Sequence, residues 1–167
     1  AINAGVDCVK FQMRNMDQLY RKRTLKKSGD DLGTEYVLDL LERFQLTTKE
    51  HRELFKYCNS RNIIYMCTPW DSTSLNILEG FDVPAYKVAS ADLTNLPLLE
   101  ELAKTQKPLI LSTGMSTTDE VNITVNFLNK LDVKFALLHC NSTYPAPLHD
   151  INLKWINNLK KIHPLIG

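Results

Sequence analysis

Val83-Pro84-Ala85-Tyr86-Lys87-Val88-Ala89-Ser90-Ala91-Asp92 reads as a short buried strand with a lysine at its centre and with Ser90 and Asp92 at its exit. A lysine inside an apolar strand costs several kcal/mol to desolvate unless something anionic meets it. The same construction stands upstream in Asp7-Cys8-Val9-Lys10-Phe11-Gln12. Two buried-strand lysines, each followed closely by polar side chains, predict strand ends that converge on an anionic ligand.

Working outward, the first strand is expected over residues 6–12 and a long connection over 13–46. That connection holds a basic cluster (Arg21, Lys22, Arg23, Lys26, Lys27), Gly29-Asp30-Asp31 and a helical piece around Tyr36 to Leu41. The cluster reads as a solvated loop or, more sharply, as a lid that attracts an anionic substrate. Thr47 with Glu50 forms a capping box at the head of a helix. His51, Leu54, Phe55 and Cys58 share one face of that helix. A strand follows over 63–67, stopped by Thr68-Pro69-Trp70-Asp71 because proline cannot donate to the ladder. Asp71 caps a short helix, Ser72 to Glu79, that Gly80 closes.

The opening run then predicts a strand over 85–89. Asn95 caps a helix striped by Leu98, Leu99, Leu102 and Ala103, with Pro97 in its first turn. Pro108 precedes a strand over 109–112, and Thr117 with Glu120 makes a second capping box. The helix it opens turns Val121, Val125 and Leu128 to one side. Residues 134–139 form the next strand. A last helix, about 152–162, is expected to pack through Trp155, Ile156, Leu159 and Ile162.

Strand starts near 63, 85, 108 and 134, each followed by a helix, require parallel strands with right-handed crossovers. Polar residues gather at the exits: Lys10 and Gln12, Thr68, Lys87 with Ser90 and Asp92, Ser112, and Asn141 to Tyr144. Five successive strands contribute, which is the habit of a closed barrel rather than of an open sheet with one switch point. No Gly-x-Gly-x-x-Gly fingerprint follows any strand. The fold class expected is therefore α/β, a TIM-type (β/α) barrel. Ala1 to Gly5 reads as the tail of a helix and Pro164 to Gly167 as the start of a further strand. The expectation is one partial barrel domain, about strands 2–6 of a longer protein, with no second domain.

A net charge of +1 leaves no face committed to nucleic-acid phosphates. No apolar run approaches a membrane span. Cys8, Cys58, Cys67 and Cys140 match no zinc or redox spacing, and a reducing, cytoplasmic setting is the simplest account.

Alternation places Cys8, Lys10 and Gln12 on one face of the first strand, toward a barrel lumen, and Val9 and Phe11 on the other, toward helices. Ile110 and Ser112 share a face, as do Leu138, Cys140 and Ser142. Lys10 and Lys87 read as strand-end lysines reaching water, as point charges for a phosphate or carboxylate, or as Schiff-base nucleophiles. Ser90 and Ser112 are ordinary turn serines singly and plausible anion donors beside two lysines. Gly114 admits a close backbone approach to a ligand or simply a tight turn. His139 reads as a core or helix-facing residue. Tyr144 suits a lid aromatic or loop packing equally.

As a set, Val9-Lys10-Phe11-Gln12, Cys67-Thr68-Pro69-Trp70-Asp71, Tyr86-Lys87-Val88-Ala89-Ser90, Leu111-Ser112-Thr113-Gly114-Met115 and His139-Cys140-Asn141-Ser142-Thr143-Tyr144-Pro145 resemble the sialic acid synthases. Those are the N-acetylneuraminate, legionaminate and pseudaminate synthases. The resemblance implies a (β/α) barrel that condenses phosphoenolpyruvate with an N-acetylated aldose and releases phosphate by C–O cleavage. It implies that Lys10, Lys87, Ser90 and Ser112 hold the phosphate and carboxylate of phosphoenolpyruvate. Ser142 matches a phosphate-contacting position, and Gln12, Thr68, Asp92 and Tyr144 match positions on the sugar side. A divalent metal, manganese or magnesium, is implied with its ligands outside this chain, as is a homodimer for the full-length protein. The segment alone is expected to be inactive. A Schiff-base lysine aldolase and a non-catalytic barrel that binds a phosphorylated metabolite are the competing readings.

Overall fold

The structure, a computed structural model, describes residues 1–20 and 32–167, with side chains from Leu38 onward in the second stretch. The basic cluster at 21–27 and the turn at 29–31 lie outside the described residues. The chain divides into two compact units, Ala1–Val83 and Pro84–Gly167.

The first unit opens with a 3-10 turn, Ile2–Ala4, closed by Gly5 at φ 74°. Strand β1 (Cys8–Met13) leads through a short helix α1 (Met16–Leu19) to α2 (Leu32–Phe44) and α3 (Thr48–Ser60). Strand β2 (Ile64–Pro69) and helix α4 (Ser72–Glu79) complete it. β1 and β2 run parallel, with Lys10 beside Met66 and Gln12 beside Thr68. On the opposite face Phe11 stacks on Tyr65 at 5.2 Å, and Phe55 and Phe81 close on the same ring. His51 is fully buried there, its Nδ1 2.7 Å from the Tyr65 hydroxyl. Burial lowers the His51 pKa and raises that of Tyr65.

β2 continues through Thr68 and Pro69 rather than ending before them. Pro69 is its last residue, and the ladder passes to Trp70, whose N–H donates to the Met13 carbonyl. Asp71 then does double duty. It caps α4 by accepting from Ser74 N–H, and its other oxygen accepts from the Asn15 N–H at 2.6 Å, which ties the β1 exit to the α4 start.

The second unit alternates β3 (Tyr86–Val88), α5 (Leu96–Lys104), β4 (Leu109–Ser112), α6 (Thr118–Lys130), β5 (Phe135–Leu138) and α7 (Ile156–Ile162). Its strands are parallel, β3 to β4 and β4 to β5. Tyr86, Val88, Leu109, Leu111, Phe135 and Leu137 share one buried face. Leu98, Leu99, Leu102 and Ala103 of α5 and Val121, Val125 and Leu128 of α6 are likewise buried, at the expected helical spacing. Ile166 bridges Leu137 in parallel.

Both capping boxes form: Thr47 and Thr117 each accept from the N–H three residues on, and Glu50 and Glu120 return the bond. Each helix-to-strand turn carries one residue in the left-handed region, Asn62, Asp82, Gln106 or Asp132. Such residues close helices much as a glycine would.

Three expectations shift. β3 is shorter than 85–89. The last helix starts at Ile156, because Leu153–Trp155 winds as a 3-10 turn. That leaves Trp155 39% exposed, and of the four residues expected to pack only Leu159 is fully buried. Among the described residues no helix is long and apolar enough to cross a membrane.

Candidate active site

The register of the second unit puts Lys87, Ile110 and Ser112 on the face opposite the apolar core. Lys87 is nonetheless buried, at 7% exposed. Its ammonium donates to the Ser112 hydroxyl at 2.5 Å and to the Val88 carbonyl at 2.6 Å. The Cys140 thiol donates to the same Ser112 oxygen at 3.2 Å. Ser112, itself 6% exposed, therefore joins the end of β3 to the segment after β5.

Two more hydroxyls meet at the turn after β4. Measured from where a Cβ would stand on Gly114, Ser142 Oγ is 2.6 Å away, Ser90 Oγ 2.9 Å and the Cys140 carbonyl oxygen 3.1 Å. The second unit thus brings together four sequence-predicted residues, Lys87, Ser90, Ser112 and Ser142. Cys140 links the Lys87–Ser112 pair to the Ser90 and Ser142 hydroxyls beside Gly114, and one cation with three hydroxyls is a donor set suited to a phosphate or carboxylate. Beside it lies a space of about 810 Å³ walled by Thr113, Gly114, Met115, His139, Cys140 and Trp155, among others.

Asp92 ends the 3-10 turn that Ser90 opens. Its Oδ1 accepts from the Asn95 side chain at 3.1 Å, while its Oδ2 is buried with no hydrogen-bond partner among the described residues. Burial raises the Asp92 pKa, and the Asn95 contact partly offsets this. Tyr144 is 92% exposed, so loop packing does not hold it. His139 is half-buried with Nε2 2.6 Å from the Ile151 carbonyl, a structural setting as expected.

In the first unit Lys10, Gln12 and Thr68 share one face of the strand pair. The expectation of two buried lysines fails at Lys10, which is exposed. The aromatic cluster covers the other face of β1, so nothing comparable desolvates the lysine. Thr68 is buried. Gln12 is held in a group that sequence reasoning missed: its Oε1 accepts from Trp70 Nε1 at 3.0 Å and from the Arg14 guanidinium. That guanidinium lies 4.8 Å from the Trp70 ring centroid. The signal was the alternation itself, which continues from Lys10 and Gln12 to Arg14.

Among the described residues no group of three or more His, Cys, Asp or Glu side chains could hold a metal ion. All four cysteines are free.

The NeuB family model matches residues 1–167. The chain belongs to the NeuB family. Within that family it is 36% identical over 166 residues to the N,N'-diacetyllegionaminic acid synthase of Campylobacter jejuni, covering 96% of this chain and 50% of that protein. Human N-acetylneuraminate-9-phosphate synthase is 29% identical over 167 residues, covering 98% and 46%. The solved structure of the N-acetylneuraminic acid synthetase of Leptospira borgpetersenii, in complex with citrate, superposes with a TM-score of 0.84 at 31% identity, covering 99% of this chain and 54% of that one. The chain spans about half the length of the curated NeuB relatives it matches. The phospho-2-dehydro-3-deoxyheptonate aldolase of Thermotoga maritima, at 14% identity and a TM-score of 0.69, shares the fold. The Campylobacter, human and Leptospira relatives are synthases of sialic-type acids, so the family resemblance drawn from the five motifs holds.

Proposed function

We propose that this chain is the phosphoenolpyruvate-binding part of a (β/α) barrel enzyme that joins phosphoenolpyruvate and water to an N-acetylated aldose, giving a nonulosonic acid and phosphate. The observation that carries the proposal is the buried Lys87 beside Ser112, with the Ser90 and Ser142 hydroxyls converging nearby. A donor with roughly three negative charges suits an ammonium already withdrawn from water, because its field is little screened there. In this reading Lys87, Ser90, Ser112 and Ser142 hold the phosphate and carboxylate. Lys10 is assigned to the same anion, and Gln12, Thr68, Asp92 and Tyr144 to the sugar, by resemblance.

The enol carbon of phosphoenolpyruvate attacks the sugar aldehyde, and water adds to the resulting oxocarbenium carbon. The tetrahedral intermediate then loses phosphate with cleavage of its C–O bond. Fixed donors around the phosphate would stabilise its departing charge without reorganising. A divalent metal, manganese or magnesium, would supply polarisation of the aldehyde when bound. Among the described residues no cluster of His, Cys, Asp or Glu would hold it.

The full-length protein is the one to assay, since the chain covers about half of its relatives. The 167-residue chain alone is proposed to be inactive, and the whole protein to act as a homodimer. Four free thiols support a reducing, cytoplasmic setting. With phosphoenolpyruvate, N-acetylmannosamine and manganese, the full-length protein should release phosphate in proportion to nonulosonic acid formed. Release without sugar dependence would overturn the proposal. The burial of Lys87 favours one competing reading, a Schiff-base aldolase. A borohydride-trapped lysine adduct with pyruvate would support that reading, and its absence alongside phosphate release would remove it.

A further inference from the structure

We infer that Gly114 is a positioning residue: the missing side chain at this position, rather than any special backbone freedom, is what lets the Ser90 and Ser142 hydroxyls close the anion cradle. The inference rests on the phosphoenolpyruvate reading above and deepens it by assigning a residue to the same site. Two explanations of a glycine in this turn can be separated here. A glycine kept for conformational freedom sits in the left-handed region, as Gly5 does at φ 74°. Gly114 does not; the left-handed residue of this turn is its neighbour Met115, at φ 58° and 73% exposed. The strained position carries a side chain, and the unstrained one carries none.

Space explains the exchange. A methyl on Gly114 would stand 2.6 Å from Ser142 Oγ, 2.9 Å from Ser90 Oγ and 3.1 Å from the Cys140 carbonyl oxygen. All three lie inside ordinary carbon–oxygen contact, and the carbonyl is backbone that cannot swing aside. The two serine side chains can. An alanine would therefore be accommodated by rotating or pushing the hydroxyls away, with the Cys140 carbonyl giving by a few tenths of an ångström, and this opens the cradle. The effect should fall on the affinity of the anion far more than on the chemical step, since the substitution acts through groups that hold the ground state.

The test uses the full-length protein with phosphoenolpyruvate as the probe, in three variants: G114A, M115G and G114A combined with S142A. G114A should raise the KM for phosphoenolpyruvate about tenfold or more while kcat changes less than about threefold. M115G should not lower the melting temperature, because it relieves a left-handed side chain. Against an S142A background, G114A should lose part of its effect, since the nearest clash is gone while those with Ser90 and Cys140 remain. That double variant also keeps the inference testable if G114A alone folds poorly. A KM unchanged in G114A, or an effect fully additive with S142A, overturns the inference. If K87M also leaves phosphoenolpyruvate affinity untouched, the underlying reading falls; if K87M abolishes binding and G114A does not, only the role of Gly114 falls.

Discussion

Lys10 and Lys87 occupy matching places in two strands of similar composition, yet their surroundings differ. Lys87 is desolvated and engages a hydroxyl and a carbonyl within 2.6 Å. Lys10 is exposed, beside a half-buried Met66, with its strand's aromatic contacts all on the other face. Strand position alone does not bury a charge. What separates the two is whether the facing side chains close over the ammonium, and in the second unit Ser112 is placed by β4 to do so.

That contrast can be broken most forcefully by removing each charge in turn in the full-length protein. Lys87→Met should weaken phosphoenolpyruvate binding by about 100-fold or more, the scale for truncating a desolvated, hydrogen-bonded charge. It also takes a donor from the Ser112 hydroxyl and the Val88 carbonyl, so a lower melting temperature is expected and binding is read well below it. Lys10→Met should cost about tenfold at low salt, with the loss shrinking as ionic strength rises, as for an exposed charge. Equal, salt-independent losses at both positions, read by calorimetric titration, would erase the distinction.

A second comparison concerns the capping boxes, which have the same geometry in both units. Thr47→Ala and Thr117→Ala should each cost about 1 kcal/mol, read from hydrogen exchange in α3 and α6. Loss at one and not the other would show that the boxes are not equivalent in solution. The holding of Glu50 and Glu120 by these bonds lowers both carboxyl pKa values. Their contribution is therefore present above the ordinary glutamate range and lost as pH falls through the lowered values.

The smallest effect is expected from His51. Its folded pKa lies below the ordinary 6.5 because burial disfavours the charged ring. The unfolded chain therefore takes up the proton first. Stability from His51 is complete above about pH 6.5 and is lost as pH falls below it. Amide protection in β1 and β2, after allowance for the intrinsic pH dependence of exchange, should fall as the pH drops below about 6.5, and His51→Phe should remove that part of the change. An unaltered pH response in the variant would assign it to other groups.

Much of this was legible in the sequence because local chemistry and period agreed. Thr47 with Glu50, Thr117 with Glu120, and Asp71 before Ser72 are caps that depend only on neighbours a few residues away. The stripe of Leu98, Leu99, Leu102 and Ala103 and the strand Leu109–Ser112 follow from spacing. The gathering of Lys87, Ser90, Ser112 and Ser142 was legible from their common place at strand exits. What was not legible depended on packing at a distance. The exposure of Lys10 is set by what covers its face, and the half-bare Trp155 by a 3-10 turn that delays the last helix. Arg14 donates to Gln12 directly, and what the sequence did not show is Trp70, 58 residues from Gln12, donating to the same oxygen and lying under the guanidinium. Gly114 looked ambiguous until the backbone showed Met115 carrying the left-handed angle.

The central claim is tested most directly by titrating phosphoenolpyruvate into the full-length protein and into its Lys87→Met variant in a calorimeter. Saturable binding is expected in the first and loss of measurable heat in the second, with both folded at the temperature of the titration. Binding of equal strength in both would contradict it.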